Sequence, residues 1–580
     1  MNALDWSVVA LYAVVSLAIG VYYRRTASRN IEEYFIKGRN LSWWLVAVSA
    51  VATYTDAGLA PAVTMWVYQD GLLGNAVWWI PYVVWMPLAA VLWSKYWRRL
   101  KTLTTAEMLE VRYSGKAAGV YRVIYSVFMG FGYVVVLMGY VSGWLASALS
   151  PIVGWSPIEL ILFAGLITVI YTTLSGQYGV VYGDLFHFVL FIIGNTIFVF
   201  VAVSAVGGMD AIHSGIQAMR GEGAADFFNV LPPTTRLTGI TILAFVVQGL
   251  FFAASPTGGE GFTAQRFMAA KNEFHAQVGQ LANAALTLII RVLPFIFTGM
   301  IGAAIYAPGS VAEPSEIWAR LVHQFSVPGL TGLLVGGIIA AYMSTISTEM
   351  NWGASYIVND VYKRVVRKDA PAAHYVLVAK ISSILIFALS MLVAYYLVKG
   401  MEAWFLFINS VIFAFILPLS WLRFFWWRLN IYGEAAALIV GLPLGYIVWF
   451  PLGFSALPFW EGFLLLFGMG WVIIVLVTLL SRPESLETLR GFYRLCRPPG
   501  FWGPVTEGFS AEEKRVIRSE TVSDIVDCIL GVVFCASAIL GSISLFGRKY
   551  MIFFVAAAAF ISSGASFVAR WKKKGVFGGL

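Results

Sequence analysis

The chain carries fifteen apolar segments, and this feature limits its fold more than any other. Their approximate bounds are 6–23, 43–68, 73–94, 119–150, 157–174, 179–206, 238–256, 276–305, 327–358, 373–398, 402–427, 432–451, 459–480, 524–547 and 550–570. Each segment is long enough to cross the hydrocarbon core of a bilayer as a helix. Backbone amides inside a bilayer must find partners within the protein, and a helix provides them. The sequence therefore predicts an all-α polytopic membrane protein with about fifteen transmembrane helices.

Composition agrees with this fold class. Of 580 residues, 59% are hydrophobic and only 12% are charged, which is more apolar surface than a soluble domain buries. The net charge of +9 comes from basic loops between segments, so it indicates a membrane protein and not a nucleic-acid partner. We expect the bilayer and a small-molecule solute as partners. The first segment lacks a basic n-region and an A-x-A cleavage site, so it is interpreted as a retained helix.

Lysine and arginine assign the two sides of the membrane. Basic clusters follow odd-numbered segments, as shown by Arg24 and Arg25 after the first and Lys363 and Arg364 after the ninth. Because cytoplasmic loops carry the excess of basic residues, the N-terminus is expected outside and the C-terminus in the cytoplasm. The exception is Arg548 with Lys549, in the last short outer turn. The expected location is the plasma membrane, which in bacteria is the inner membrane.

Two segments are interrupted at matching places. Segment 2 contains Gly58 and Pro61, and segment 7 ends in the run Ser255 to Gly259. These segments are five helices apart and run in opposite directions, and paired interruptions of this kind indicate the midplane site of a transporter. The predicted organisation is an N-terminal helix and cytoplasmic loop (1–42), a first five-helix repeat (43–206), an extracellular loop (207–237), a second inverted five-helix repeat (238–427), two accessory helices (428–481), a cytoplasmic linker (482–523) and a C-terminal hairpin with a basic tail (524–580).

Segment 9 is apolar and glycine-rich, yet it carries a run of polar side chains. Ser344, Ser347 and Thr348 share one helical face, and Thr345, Thr348 and Glu349 form an overlapping face. Polar clusters at membrane depth are costly and usually functional. Hydroxyl oxygens with a nearby carboxylate suit a small hard cation such as Na⁺. The alternative is that the hydroxyls bond to carbonyls one turn earlier in the same helix.

Three stretches of the chain resemble the sodium/solute symporter family, which includes the sodium/glucose and sodium/proline symporters. They are Ala341-x-x-Ser344-Thr345 followed by Asn351 and Asp360-x-Tyr362, the run Tyr171 to Gly176 with Asp184, and Gln265-Arg266-x-x-Ala269-Ala270-Lys271. The resemblance spans roughly residues 43–430. It implies a leucine-transporter-type core of two inverted five-helix repeats with extra N- and C-terminal helices.

The resemblance also implies the ion sites. One sodium ion would bind between the broken segment 2 and segment 9, held by the carbonyls of Ala52, Thr55 and Ala341 and the hydroxyls of Ser344 and Thr345. A second sodium ion would bind to Asp184, Ser347 and Thr348, so one or two ions are expected. For Asp184 the alternative is a structural carboxylate partnered by His187, one turn further along the helix.

Three intramembrane charges are candidates for solute binding or gating. Asp56 lies in the break of segment 2 and suits an ammonium group, whereas Arg291 in segment 8 suits a carboxylate. Together they could bind the two ends of a zwitterion. Alternatively, Asp56 and Arg291 pair with each other or with Glu349 as structural or gating ion pairs. Glu349 has a third interpretation, as a protonatable group that couples transport to protons.

Nearby aromatic residues and one further carboxylate complete the candidates. Trp78, Trp79, Phe251 and Phe252 could line the solute cavity, although aromatic residues at such positions usually serve packing. Glu260, which follows the break of segment 7, is a further candidate. Where the sixth core helix of the sugar transporters has an Asn and a gating Tyr, this chain has Ala253 and Pro256, which argues against sugar recognition of that kind.

The resulting prediction is a sodium-coupled symporter that imports a small organic solute, best an amino acid or other amine, by alternating access. A sensor that kept the transporter fold and a proton-coupled symporter that uses Glu349 are the alternatives. An enzyme is not expected, because the sequence has no H-E-x-x-H motif and no metal-ligand spacing among its histidines and cysteines.

Overall fold

The computed structural model describes residues 1–231, 236–253, 255, 259–397, 407, 410–457 and 459–574. Within these ranges every predicted apolar segment is helical. The principal helices are α1 (Ala3–Ala27), α2 (Trp43–Tyr54), α3 (Leu59–Leu88), α4 (Gly115–Val127), α5 (Val134–Val153), α6 (Pro157–Val206), α7 (Arg236–Phe252), α8 (Gly261–Ala269), α9 (Glu273–Ala285), α10 (Leu293–Ile305), α11 (Leu330–Tyr356), α12 (Ala372–Leu397), α13 (Leu417–Phe425), α14 (Ile431–Trp449), α15 (Phe459–Leu480), α16 (Leu486–Cys496), α17 (Ala511–Phe546) and α18 (Tyr550–Lys573).

The break predicted in segment 2 is confirmed. Helix α2 ends at Tyr54, α3 begins at Leu59, and the two helices meet at an angle of 66°. Among the described residues, ten helical stretches are long and apolar enough to cross a bilayer, or eleven when this bent pair counts as one span. In segment 7, α7 ends at Phe252, and residues 256–258 of the predicted break lie outside the described part of the chain.

Two glycines mark joints between predicted segments. Gly71 (φ 73°) lies within α3 between segments 2 and 3, and Gly176 (φ 48°) lies within α6 between segments 5 and 6. A side chain is strained at these φ values. A Cβ atom would also lie 2.5 Å from the carbonyl oxygen of Phe227 at the first position and of Tyr34 at the second. The chain therefore changes direction at both points while its helices remain almost continuous.

Helix α11 is the central element of the fold. Every residue from Leu334 to Tyr356 is buried, including the polar run of segment 9. A helix buried all round lies in the interior of the bundle, with no face toward lipid. Its N-terminus is fixed by Asp5 of α1, whose Oδ1 accepts the amides of Gly329 (2.8 Å) and Gly332 (2.9 Å). These amides are among those that a helix start leaves without partners.

The C-terminal hairpin of α17 and α18 is joined to the rest of the molecule by ion pairs. Buried Asp527 in α17 accepts from Arg570 (2.5 Å), from the indole of Trp571 (3.0 Å) and from Lys574 (2.6 Å). Asp524, also in α17, pairs with buried Lys95, which follows α3. The hairpin therefore packs against the core through paired charges as well as apolar contacts.

Two stretches expected to be loops contain helices. The predicted extracellular loop 207–237 includes Gly208–Arg220, and the predicted linker 482–523 includes α16 and the start of α17 at Ala511. These helices are amphipathic: Gly208–Arg220 buries only Ile212 and Ile216. Their polar faces lower the mean hydropathy, so a search for membrane spans passes over them.

Candidate sodium and solute site

The last turn of α2 packs against the polar run of α11. The hydroxyl of Thr345 donates to the carbonyl of Thr53 at 2.9 Å, and it also lies 3.3 Å from the carbonyl of Ala341. The amide of Thr55 donates to the carbonyl of Ala52 at 3.0 Å, which closes the end of α2. The residues predicted for the first sodium ion are all buried, and they lie on these two adjoining elements: Ala52, Thr55, Ala341, Ser344 and Thr345.

The chemistry of this oxygen set fits Na⁺. The last carbonyls of a helix lack intrahelical partners and carry partial negative charge. Hydroxyl oxygens from Ser344 and Thr345 add neutral ligands that accept a cation through their lone pairs. The set has no net charge, so a single small cation can bind without a buried countercharge.

The carboxylate of Asp184 in α6 is fully occupied by donors. Its Oδ1 accepts the Ser344 hydroxyl at 2.5 Å, and its Oδ2 accepts the Ser49 hydroxyl at 2.5 Å. Oδ2 also accepts an N–H of Arg266 at 3.2 Å. The suggested partner His187 does not contact it; its Nε2 lies 3.4 Å from the hydroxyl of Ser16. The alternative in which His187 partners Asp184 is therefore wrong.

The guanidinium of Arg266 in α8 lies among the residues predicted for a second sodium ion. It donates to the Thr348 hydroxyl at 3.0 Å, to the Thr53 hydroxyl at 2.6 Å and to the Ser49 hydroxyl at 2.8 Å. Ser347 points elsewhere and donates to the carbonyl of Ser344 at 3.1 Å, the bond to the preceding turn that was considered above. Arg266 and Asp184 are both completely buried.

The three stretches that carry the family resemblance converge on this cluster. Asp184 comes from the second stretch, Arg266 from the third and Thr348 from the first, and hydrogen bonds join them. A neighbouring bond runs from the amide of Gln265 to the side-chain oxygen of Asn351 at 2.9 Å. Residues far apart in the sequence therefore form one connected polar site in the interior of the bundle.

Arg291 and Asp56 lie on either side of the break between α2 and α3. Arg291 is buried, and its Nη1 donates to the carbonyl of Tyr54 at 2.6 Å, while its Nε has no hydrogen-bond partner. Within 4.0 Å, none of the carboxylates that the structure describes pairs with it. Asp56 Oδ1 accepts the amide of Gly58 at 2.9 Å and is within electrostatic range of Arg291. The direct ion pair between them is therefore absent from the described residues.

Aromatic rings surround Arg291. Its guanidinium carbon lies 4.8 Å from the ring centre of Trp79 and 5.9 Å from that of Tyr82. Phe252 packs at 5.7 Å from Trp85, whereas Phe251 packs on the opposite side against three other rings: Trp421, Phe467 and Trp471. Trp79 and Phe252 therefore belong to the aromatic cluster near the break, and Phe251 serves packing. The side chain of Trp78 lies outside the described residues.

Glu349 is buried without a hydrogen-bond partner for either carboxylate oxygen among the described residues. It does not pair with Arg291; the charge that acts on it is Arg266. An isolated buried carboxylate is costly in its ionised form. The interpretation of Glu349 as half of an ion pair is therefore wrong for this arrangement.

Glu260 belongs to a cluster of buried ion pairs near the start of α8. Its Oε1 pairs with Arg423 at 2.9 Å and its Oε2 accepts the Ser420 hydroxyl at 2.5 Å. Arg423 also pairs with Glu434, which accepts the Tyr113 hydroxyl at 2.6 Å. Arg423 therefore holds two carboxylates from different parts of the chain, and Glu260 connects the segment after the break to α13 and α14.

Several residues of the site were not predicted. Ser49 and Arg423 received no role, although the spacing of Ser49 and Thr53 places both on one face of α2. Arg266 was recognised only as part of a motif. Its single buried positive charge beside a predicted cation site is the signal that could have identified its partner.

Arg423 is predicted to be essential for stability, because Arg423→Gln leaves Glu260 and Glu434 buried and unpaired. Breaking a buried pair in this way costs about 3–5 kcal/mol. We expect a large loss of thermal stability in detergent, measured by intrinsic fluorescence, and partial recovery in Arg423→Gln with Glu260→Gln. Arg320→Gln, at an exposed pair with Glu316, is the control. A double variant no more stable than Arg423→Gln would contradict the pairing.

Comparison with known proteins assigns the chain. The family model for the sodium:solute symporter family matches residues 34–441. The sodium/glucose cotransporter of Vibrio parahaemolyticus is 25% identical over 525 residues, covering 85% of this chain and 93% of that protein. The sodium/sialic acid symporter SiaT of Proteus mirabilis is 24% identical over 417 residues, covering 69% and 79%.

The solved structure of a Na⁺-coupled sialic acid symporter, in a substrate-bound outward-open state, superposes with a TM-score of 0.70 at 20% identity. It covers 83% of this chain and 99% of that structure. The predicted leucine-transporter-type fold is confirmed, and so is the expectation of a transporter in place of an enzyme. The chain therefore belongs to the sodium:solute symporter family and is a polytopic membrane protein that couples the transport of a small solute to sodium.

Proposed function

We propose that this protein imports a small carboxylate-bearing solute, best an amino acid or another zwitterion, by alternating access across the plasma membrane. The sodium gradient drives uptake, with the N-terminus outside and the C-terminus in the cytoplasm. The observation that carries the choice of solute is Arg291, a buried guanidinium beside the helix break that no carboxylate of the described residues neutralises.

Arg291 has donors to spare. A guanidinium carries five N–H groups, and the Tyr54 carbonyl accepts from Nη1 while Nε has no partner. Buried charges are normally paired, so the arrangement favours a ligand that supplies the missing negative charge. A carboxylate matches the planar guanidinium with two parallel hydrogen bonds. The rings of Trp79 and Tyr82 hold the guanidinium in place from one side.

Asp56 provides the complementary charge. One of its oxygens, Oδ1, accepts the Gly58 amide, which fixes the carboxylate at the break. Arg291 acts on it electrostatically without a direct ion pair, so both charges can bind the opposite ends of one solute. A zwitterion satisfies both groups, whereas a sugar satisfies neither. This complementarity supports an amino acid or related amine over the sugars carried by relatives of the glucose type.

Sodium binding would control access through the same break. The ion site joins the end of α2 to α11, and the Thr345 hydroxyl already bonds the Thr53 carbonyl. An ion there stabilises the outward-facing arrangement of the two elements, and its release loosens them toward the cytoplasm. In this scheme residues 43–206 and 238–427 form the two inverted repeats that move against each other.

Glu349 favours a second candidate, in which protons also drive transport. Its carboxylate is buried and neither oxygen has a hydrogen-bond partner among the described residues. A carboxylate in that environment avoids the cost of a buried charge by binding a proton. A third outcome is a sensor that binds solute without transporting it, which would appear as solute binding with no flux into proteoliposomes.

The sodium site is tested by Ser344→Ala combined with Thr345→Ala, which removes two of the five oxygens. We expect the stabilisation of the purified protein by sodium to disappear, and the sodium concentration for half-maximal uptake to rise about tenfold or more. Thr168→Ala is the control, because that buried hydroxyl only bonds the Ala164 carbonyl at 2.7 Å. Unchanged sodium dependence in the double variant would exclude these residues as ligands.

The solute class is tested by a thermal-shift screen of amino acids, amines, sugars and carboxylates, with and without sodium. Amino acids should stabilise the wild type most, because ligand binding to the folded state raises the unfolding temperature. Arg291→Gln should lose this shift and Arg291→Lys should keep part of it, while the exposed Arg320→Gln keeps it fully. Stabilisation by sugars and by no carboxylate would refute the proposal.

Proton coupling is tested by Glu349→Gln, which preserves the shape of a protonated side chain but cannot exchange a proton. The second candidate predicts that an inward proton gradient raises uptake by the wild type and not by this variant, measured in proteoliposomes. Glu487→Gln, at an exposed position of α16, is the control. A proton response that survives in Glu349→Gln would exclude this role.

A further inference from the structure

We infer that Arg266 takes the place of a second sodium ion, so that this protein binds one Na⁺ per transport cycle. The inference rests on the sodium-coupled transport proposed above and deepens it by fixing the number of ions. It concerns the cluster of Asp184, Ser347 and Thr348, where the resemblance to the family implied a second cation.

The guanidinium makes the contacts that a cation would make at this position. It bonds the Asp184 carboxylate at 3.2 Å and the Thr348 hydroxyl at 3.0 Å, and its other donors reach Ser49 and Thr53. A fifth contact, from Nη1 to the Phe262 carbonyl at 3.1 Å, fixes the side chain within its own helix α8. Every partner is buried, so the guanidinium is held on all sides.

The ligands of the second site are already used. Asp184 accepts three donors through its two oxygens, and two of these come from the hydroxyls of Ser344 and Ser49. Ser347 donates to the Ser344 carbonyl and makes no printed contact with Asp184. Thr348 bonds Arg266 and lies 3.0 Å from the hydroxyl of Thr53. A sodium ion would have to displace several of these bonds at once.

Charge also opposes a second ion. Asp184 and Arg266 are both completely buried and neutralise each other. An added Na⁺ at this carboxylate would lie next to the guanidinium, where two like charges repel strongly in a medium of low dielectric constant. The tethered cation therefore supplies the positive charge that Asp184 requires, and it cannot leave during transport.

The first sodium site depends on this pair. Ser344 gives its proton to Asp184, so its oxygen lone pairs are directed away from that carboxylate and remain available as a sodium ligand. Thr53 gives its carbonyl to Thr345 and its hydroxyl oxygen to Arg266, which places the two sites back to back. Arg266 is accordingly a positioning residue for the one ion that moves.

The number of ions can be counted without knowing the solute. Equilibrium binding of ²²Na⁺ to the purified full-length protein should saturate at one ion per chain. Ser347→Ala, which removes a ligand of the second site, should leave the count at one, and Ser344→Ala with Thr345→Ala should reduce it to zero. A count of two in the wild type, or a lower count in Ser347→Ala than in the wild type, would overturn the inference.

Arg266 itself is tested by Arg266→Gln, which removes the resident charge. With Asp184 left unpaired, we expect the count to rise from one ion to two. A folded Arg266→Gln protein that still binds one ion would overturn the role of Arg266, and where this variant does not fold, the wild-type count decides. Because binding is measured without solute, a wrong solute class would change the thermal-shift screen and leave the ion count at one.

Discussion

The ion pair between Arg266 and Asp184 is the interaction on which the interior of this transporter depends. Charges at membrane depth need partners, and here the partners come from four separate helices. Asp184 lies on α6 and Arg266 on α8, while Ser49 on α2 and Thr348 on α11 complete their shells. The pair therefore fixes the relative positions of the helices that surround the ion and solute sites.

The same requirement explains the cytoplasmic side of the core. Arg423 neutralises Glu260 and Glu434, and Arg122 on α4 bonds the buried carboxylate of Asp360 at 2.7 Å. Against this background Arg291 and Glu349 differ from the other buried charges, because no ion pair of the described residues includes them. Function is most economically assigned to the charges that the fold leaves without a partner.

Sequence reasoning predicted what depends on periodicity and local chemistry. The apolar segments, the break between Tyr54 and Leu59, and the buried hydroxyl run of α11 all follow from residues close together in the chain. It did not predict that Arg266 lies against Thr348, or that Asp184 contacts Ser49 in place of His187. Those contacts join distant segments, and only the packing of helices decides which polar groups meet. Amphipathic helices such as Gly208–Arg220 were missed because their polar face hides them from a hydropathy search.

The capping of α11 by Asp5 has a consequence for how the molecule moves. Asp5 belongs to α1, which precedes the residues matched by the family model, yet it satisfies the first amides of the most buried helix in the bundle. Breaking these bonds would expose amides that have no other partner at that helix start. Helix α1 and helix α11 consequently travel as one rigid body, so the N-terminal helix is part of the scaffold against which the broken helix rearranges.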